Sequence, residues 1–413
     1  DTGFKMYQVT SEKDSVNFIN LNAKLNKDIF SVEEYGLSVD ADDNSDALNN
    51  LIEYLQKHGG GTILFPAGIY NMGKRVGVKS GINIQGVNPH RTVLRMFGTT
   101  NYSLFDNGER MLYNARFQNF KIDAYDHLPS VYSTDAKGFN FHNAQNCIIS
   151  DLVIQGTNGT GIGTDFLVAT KIFNNHVIEC GKGWKNIEGY EGGSGIGIGT
   201  GFNPNETFIV SNNIVERCGQ NGIFFEDQGI WGGYNYVSRG QIVSNNTIRD
   251  GRKNGLAIRG NTFVNFNNNL VYKNVNGFFA DLYAQEVKLN NNQFILNSYG
   301  MWIEGKDLDY QTKLVDINSN QIIRNTTAGI RINADNTRDI NLMGNTIQEN
   351  AQGLVVVGSG KRFTAVNNVI TQNTSTAVTV QGSHEDFIFK NNIVRGAKNV
   401  TATFTGETTM NEL

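Results

Sequence analysis

From Gly222 to Gly305 the chain runs through short segments in which apolar and polar side chains alternate after a leading glycine. They are Gly222-Ile-Phe-Phe-Glu-Asp227, Gly255-Leu-Ala-Ile-Arg-Gly260, Gly277-Phe-Phe-Ala-Asp-Leu282 and Gly300-Met-Trp-Ile-Glu-Gly305. Successive side chains on a strand point to opposite faces, so each segment predicts a strand with one oily side. Ile223/Phe225, Leu256/Ile258, Phe278/Ala280 and Met301/Ile303 make the inner face. The outer face carries Phe224/Glu226, Ala257/Arg259, Phe279/Asp281 and Trp302/Glu304. The same pattern continues at Gly329-Ile-Arg-Ile-Asn333, Gly353-Leu-Val-Val-Val357 and Ala377-Val-Thr-Val-Gln381, and upstream at Gly195-Ile-Gly-Ile-Gly199 and Gly138-Phe-Asn-Phe-His142.

A second periodicity sets the architecture. An Asn followed two residues later by an apolar residue recurs at 175, 213, 246, 269, 292, 320, 345, 368 and 392, giving steps of 38, 33, 23, 23, 28, 25, 23 and 24. A period in the low twenties matches one coil of three short strands in a parallel β-helix. The asparagines are expected to stack as an internal ladder at a turn. A leucine-rich horseshoe has a similar period, but its Leu-x-x-Leu-x-Leu signature is missing, and Ile, Val and Phe dominate the strands. The longer steps predict insertions at Lys182–Ser194, Asp227–Gly240 and Lys306–Lys313, which bring Trp184, Trp231, Tyr234, Tyr236 and Tyr310 beside the acidic strands. Insertions in a solenoid emerge as loops and often wall a binding face.

At 413 residues the chain is long for one globular domain, but a repeat protein grows in one dimension. Net charge is −4, from 35 basic and 39 acidic residues, with no block of one sign, which gives no reason to expect nucleic acid. No apolar run reaches membrane length, and the chain shows no signal peptide. It begins at Asp1, which fits removal of a leader or upstream domain. The odd cysteine count, Cys147, Cys180 and Cys218, predicts buried free thiols, with Cys180 and Cys218 stacked in neighbouring repeats. The six histidines have no metal-ligand spacing, so neither a metal nor a cofactor is expected.

Residues 1–30 lack the repeat and read as a connector or strap. Residues 31–90 form an entry segment and 91–413 the repeat domain. Within the entry segment Ser45 is the expected N-cap of a helix whose apolar stripe is Ala47, Leu48, Leu51, Ile52 and Leu55, ended by Gly59-Gly-Gly61. Thr62-Ile-Leu-Phe-Pro-Ala-Gly-Ile-Tyr70 and Ser80-Gly-Ile-Asn-Ile-Gln-Gly86 follow as strands. This series resembles the entry segment of the pectate-lyase-like right-handed parallel β-helix superfamily, shared by phage tailspikes, polygalacturonase-type hydrolases and mannuronan C5-epimerases. The resemblance implies an all-β solenoid with an N-terminal capping helix over its open end. The Asn-Thr-Asp, Asp-Asp and Gly-His-Gly marks of the polygalacturonases and the Asp-Pro-His motif of the epimerases are absent, so no catalytic residue transfers by motif.

The outer face therefore has to be read on its own. With coils about 4.8 Å apart, Glu226, Arg259, Asp281 and Glu304 fall into one file. Glycosidases use two carboxyl groups, about 5 Å apart when retaining and about 6.5–9.5 Å when inverting. Asp281 and Glu304 suit the first spacing, Glu226 and Asp281 the second. Glu226, Asp281 and Glu304 are the expected catalytic set, and Arg259, Phe224, Phe279, Trp302, Asp227, Trp231 and Arg331 the expected substrate contacts. His142 can face the same groove several coils away. Gly193-Ser-Gly-Ile-Gly-Ile-Gly199 lacks the strand–loop–helix context of a phosphate loop. The expected function is a polysaccharide depolymerase, a glycoside hydrolase of secreted or phage-tail type. A lyase or C5-epimerase on a uronic-acid polymer and a non-catalytic glycan-binding rod are the alternatives. A teichoic-acid-type polymer is a further possible substrate. The expected partner is a polysaccharide, with a homotrimer as the tailspike analogy, in an extracellular or virion setting.

Overall fold

Alternation along each segment is realised as parallel strands stacked coil upon coil. The computed structural model describes residues 28–108, 110–130, 133–181, 192–229, 240–260, 263–305 and 311–410. Most of the connector and of the three insertions, with Trp231, lies outside the described residues.

Each coil has three strands on three faces. A representative coil runs through Asn254–Arg259, Val264–Asn267 and Leu270–Tyr272, and the next through Asn276–Asp281, Gln285–Asn290 and Gln293–Ile295, each strand parallel to its counterpart. The third strands form a 13-stranded sheet. The first and second belong to a 26-stranded sheet, joined where Thr376–Lys390 runs through the corner. The middle of the first face is built from β1 (Phe139–His142), β2 (Ile162–Asp165), β3 (Ile196–Thr200), β4 (Asn221–Asp227), β5 (Asn254–Arg259), β6 (Asn276–Asp281), β7 (Tyr299–Glu304) and β8 (Ala328–Asn333).

The inward assignment holds at every expected position: Ile223, Phe225, Leu256, Ile258, Phe278, Ala280, Met301 and Ile303 are all fully buried. Phe208, Phe225, Phe266 and Phe278 form a continuous aromatic spine with centroids 5.5–5.7 Å apart. The leading glycines have a steric cause. A Cβ at Gly277 would lie 2.5 Å from the Gly300 carbonyl oxygen, and one at Gly300 would lie 2.5 Å from that of Gly329. The coils approach too closely there for any side chain.

The ladder is also present. Asn269 Nδ2 donates to Asn292 Oδ1 at 2.9 Å, and the same bond links Asn175, Asn213, Asn246, Asn269, Asn292, Asn320, Asn345, Asn368 and Asn392 in series. In the Asn-Asn pairs the first member takes the left-handed turn, as at Asn268 (φ 56°) and Asn291 (φ 55°), and the second enters the ladder. Asn and Gly are the residues that tolerate this backbone best. A parallel ladder runs through Asn274, Asn297, Asn325, Asn350 and Asn373.

The helix α1 (Ser45–Lys57) buries Leu48, Leu51, Ile52 and Leu55 against the first coils, while Ala47 packs at the edge. Its cap position is taken by Asn44, not Ser45. The Ser45 hydroxyl instead accepts the backbone N–H of Lys74. Ile29–Ser31, at the end of the expected connector, pairs in parallel with Thr62–Leu64 and so joins the solenoid. The three cysteines are free and buried. No helix among the described residues is long and apolar enough to cross a membrane.

Candidate functional site

Strand register fixes the site before any side chain is considered. Along the outer face His142, Asp165, Gly199, Glu226, Arg259 and Asp281 are consecutive register partners on β1 to β6. Ala280 faces Ile303 and Glu304 faces Asn333, so Glu304 on β7 continues the file. A second file, two residues earlier on each strand, reads Asn140, Gly163, Gly197, Phe224, Ala257, Phe279, Trp302 and Arg331. The alternation therefore brings Glu226, Arg259, Asp281, Glu304, Phe224, Phe279, Trp302 and Arg331 onto one surface. All are half-buried, as expected for a groove floor.

Asp227 departs from the expectation. It sits one step past Glu226, so its side chain turns inward, and it is 4% exposed. It packs over the backbone of Gly201 and Gly260 and does not line the groove.

Two charge pairs organise the file. The Arg259 guanidinium grips Asp281 with two bonds, Nε to Oδ1 at 3.2 Å and Nη2 to Oδ2 at 3.0 Å, and its Nη1 lies 3.9 Å from Glu226 Oε1. Those bonds raise the already high pKa of Arg259 further. At the other end His142 Nδ1 lies 3.1 Å from Asp165 Oδ2. That hydrogen bond raises the imidazole pKa against the opposing effect of burial.

The two glutamates are biased the other way. Burial raises the pKa of Glu226; Arg259 lowers it, and Asp165, Asp281 and Asp227 raise it. Burial also raises the pKa of Glu304, with Asp281 adding to the effect while the Trp302 hydrogen bond and Arg331 oppose it. Trp302 Nε1 donates to Glu304 Oε2 at 3.0 Å, and the Arg331 guanidinium lies 5.3 Å from the Trp302 ring centre. Phe279 meets the same ring edge-on at 6.4 Å. The Tyr299 ring lies nearest, at 4.8 Å, so Trp302 is held by four neighbours while staying half-buried.

Three members escaped the sequence reading. Asp165, 8% exposed, belongs to the file and accepts the Gly199 N–H at 2.8 Å and Gln228 Nε2 at 3.3 Å. Gln228 lies just beyond β4. Gly199 was visible as a strand residue, but its lack of a side chain hid its place in the file. A cleft of about 230 Å³ opens there, lined in part by Asp165, Gly199, Phe224, Glu226 and Gln228.

Comparison with known proteins bears on the fold. Residues 232–412, less than half of the chain, match the family described as Periplasmic copper-binding protein (NosD). That stretch contains one histidine, His384, and no cysteine. His384 is buried against the Gln381 carbonyl, and no group of three His, Cys, Asp or Glu side chains among the described residues could hold a metal. Among the described residues the donor set does not fit copper. No curated protein matches the chain. Among solved structures, pre-mature bacteriophage phi29 gene product 12 aligns with a TM-score of 0.66 at 15% identity, over 96% of this chain and 58% of that one. The catalytic unit of the GH87 alpha-1,3-glucanase from Streptomyces thermodiastaticus gives 0.62 at 14%, over 91% and 68%. The mannuronan C-5 epimerase AlgE4 A-module of Azotobacter vinelandii gives 0.62 at 14%, over 92% and 100%. At such identities the likeness is one of fold.

Proposed function

We propose that this chain, a right-handed parallel β-helix of the pectate-lyase-like superfamily, depolymerises a polysaccharide by hydrolysing its glycosidic bonds. One observation carries the reading. Glu226 and Glu304 stand in a single outward file, each biased toward its protonated form by burial and each next to the Arg259–Asp281 pair. Hydrolysis needs a carboxyl group that still holds its proton to give to the leaving oxygen, and a second carboxylate to receive one or to attack the ring. Glu226 and Glu304 are the donor candidates, and Asp281 completes the set. Phe224, Phe279 and Trp302 offer faces for sugar rings, and Arg331 extends the groove. The names of two structural neighbours, a glucanase and a mannuronan epimerase, support a glycan substrate. An extracellular or phage-tail setting belongs to this proposal, and so does a parallel homotrimer, which light scattering would detect.

The test is digestion of a panel of bacterial and algal polysaccharides read by mass spectrometry. Wild-type protein should release oligosaccharides heavier by one water per cut. Glu226→Gln, Asp281→Asn and Glu304→Gln should each lower the rate while the thermal midpoint stays within a few degrees. Full activity in all three variants would end the proposal.

A lyase or epimerase acting on a uronic-acid polymer is the second reading. Arg259 favours it, because a guanidinium in the file can neutralise a sugar carboxylate beside the proton being removed. Absorbance near the wavelength of a conjugated double bond separates a lyase from a hydrolase, and proton exchange at C5 separates an epimerase from both.

A further inference from the structure

The file offers three carboxylate pairs, and they differ in what lies between them. Asp281 and Glu304 occupy adjacent coils with no position between. Glu226 and Asp281 are two coils apart, and the Arg259 side chain fills the interval. Asp165 and Glu226 are also two coils apart, roughly 10 Å along the stack, but the residue between them is Gly199, over which the neutral Gln228 amide reaches to bond Asp165. In the adjoining file Gly163 and Gly197 likewise contribute no side chain. The cleft of about 230 Å³ lies over these glycines, with Asp165 and Glu226 both on its lining. Its remaining wall carries Thr160, Ser194 and Gln220, suited to sugar hydroxyls, and one cation, Lys137, which lies over Gly163 and donates to Asn140 Oδ1 at 2.8 Å.

Building on the proposed hydrolase, we infer that bond cleavage takes place in this cleft, with Asp165 as general base, Glu226 as general acid and inversion at the anomeric carbon. Asp165 is equipped for the role. Oδ1 is held by the Gly199 N–H and by Gln228, and Oδ2 by His142. A carboxylate oxygen accepts two bonds, so Oδ2 keeps a lone pair for a water. His142 is a positioning residue that fixes this carboxylate. Two coils, about 9.6 Å between strand backbones, stand at the upper edge of the roughly 6.5–9.5 Å that leaves room for a water beside the ring, so the two carboxyl groups must lean toward each other over the cleft.

In the step, water oxygen bonds to the anomeric carbon as the bond to the leaving oxygen breaks. Asp165 takes a proton from the water and Glu226 gives one to the leaving oxygen. One water is consumed, and the two carboxyl groups exchange protons with solvent to reset. Gly199 is required because a Cβ there would lie 2.4 Å from Asp165 Oδ1 and 2.6 Å from Gln228 Cδ.

The experiment uses the full chain and whichever panel polysaccharide it cleaves. Asp165→Ala and Glu226→Gln should each cut the rate about 1,000-fold or more, whereas Asp281→Asn should cost less than either. Early proton NMR of the wild-type digest should show product of inverted configuration. Azide added to Asp165→Ala should restore turnover as the inverted glycosyl azide, a rescue that a structural role for Asp165 would not give. If Asp165→Ala does not fold, Gly199→Ala and the NMR stereochemistry decide. Retained configuration, or an Asp165 variant within tenfold of wild type, overturns the inference and leaves the hydrolase standing. A panel left wholly intact overturns both.

Discussion

Arg259 binds both carboxylate oxygens of Asp281, from one coil to the next, while its third nitrogen stays 3.9 Å from Glu226. One cation is thus shared between a paired aspartate and a glutamate that burial pushes toward its protonated form. Arg259→Met removes a positive neighbour that lowers the Glu226 pKa and releases Asp281, whose charge raises it. Both effects have one sign. An acid donor with a higher pKa keeps its proton to higher pH, so the alkaline limb of the depolymerisation rate should move upward in pH. A limb that stays in place or moves down would remove Glu226 as the donor.

Trp302 is fixed by Glu304, Tyr299, Phe279 and Arg331, so little entropy is lost when a sugar stacks on it. Trp302→Ala should weaken oligosaccharide binding roughly 10-fold, about 1.4 kcal/mol, and raise KM more than it lowers kcat. Trp302→Phe keeps a ring but loses the N–H that lowers the Glu304 pKa, so it should bind better than the alanine variant. Calorimetry with an inactive Glu226→Gln background reads the binding. Equal affinity for the tryptophan and alanine forms would place the sugar elsewhere.

What was legible in the chain is what repeats locally. Alternation with a leading glycine fixed the inward residues, and the Asn-Asn spacing fixed the ladder, because each coil writes the same constraint again. The second ladder was hidden, since Asn274, Asn297, Asn325, Asn350 and Asn373 follow Lys, Leu, Arg, Glu and Gln, each forced into the left-handed turn. Asp165 was missed because its run, Ile162-Gly-Thr-Asp165, does not share the pattern of the later strands, and the next file position is a glycine. Asp227 was misplaced because the strand continues one residue further than the groove, and the odd position turns inward.

The ladder gives a stability prediction. Asn269 Nδ2 donates to Val243 O and Asn292 Oδ1, and Asn269 Oδ1 accepts from both Asn246 nitrogens. Asn269→Ala leaves several buried partners unpaired and should cost about 2–4 kcal/mol, seen as a lower urea midpoint. Asn268, in the left-handed turn, should accept Gly with little loss, whereas Asn268→Val should cost about 1–2 kcal/mol from backbone strain. Identical midpoints for Asn269→Ala and wild type would mean that the ladder adds no stability.

The His142–Asp165 contact is pH-sensitive with a definite sign. Asp165, and to a lesser degree Asp106, raises the imidazole pKa above its ordinary value, while burial and Lys137 oppose them. A histidine with a raised folded pKa contributes stability that is complete below its unfolded pKa and disappears as pH rises through the folded one. Wild type should therefore exceed His142→Gln in thermal midpoint at pH 5, by about 1–2 °C, and the margin should close above neutrality. The histidine Cε1 proton resonance reports the same event directly. Its titration midpoint should lie above that of a free imidazole and fall in Asp165→Asn, where the charge is lost but the shape is kept. A midpoint unmoved by that substitution would mean that the two side chains are not coupled and that Asp165 is held by Gly199 and Gln228 alone.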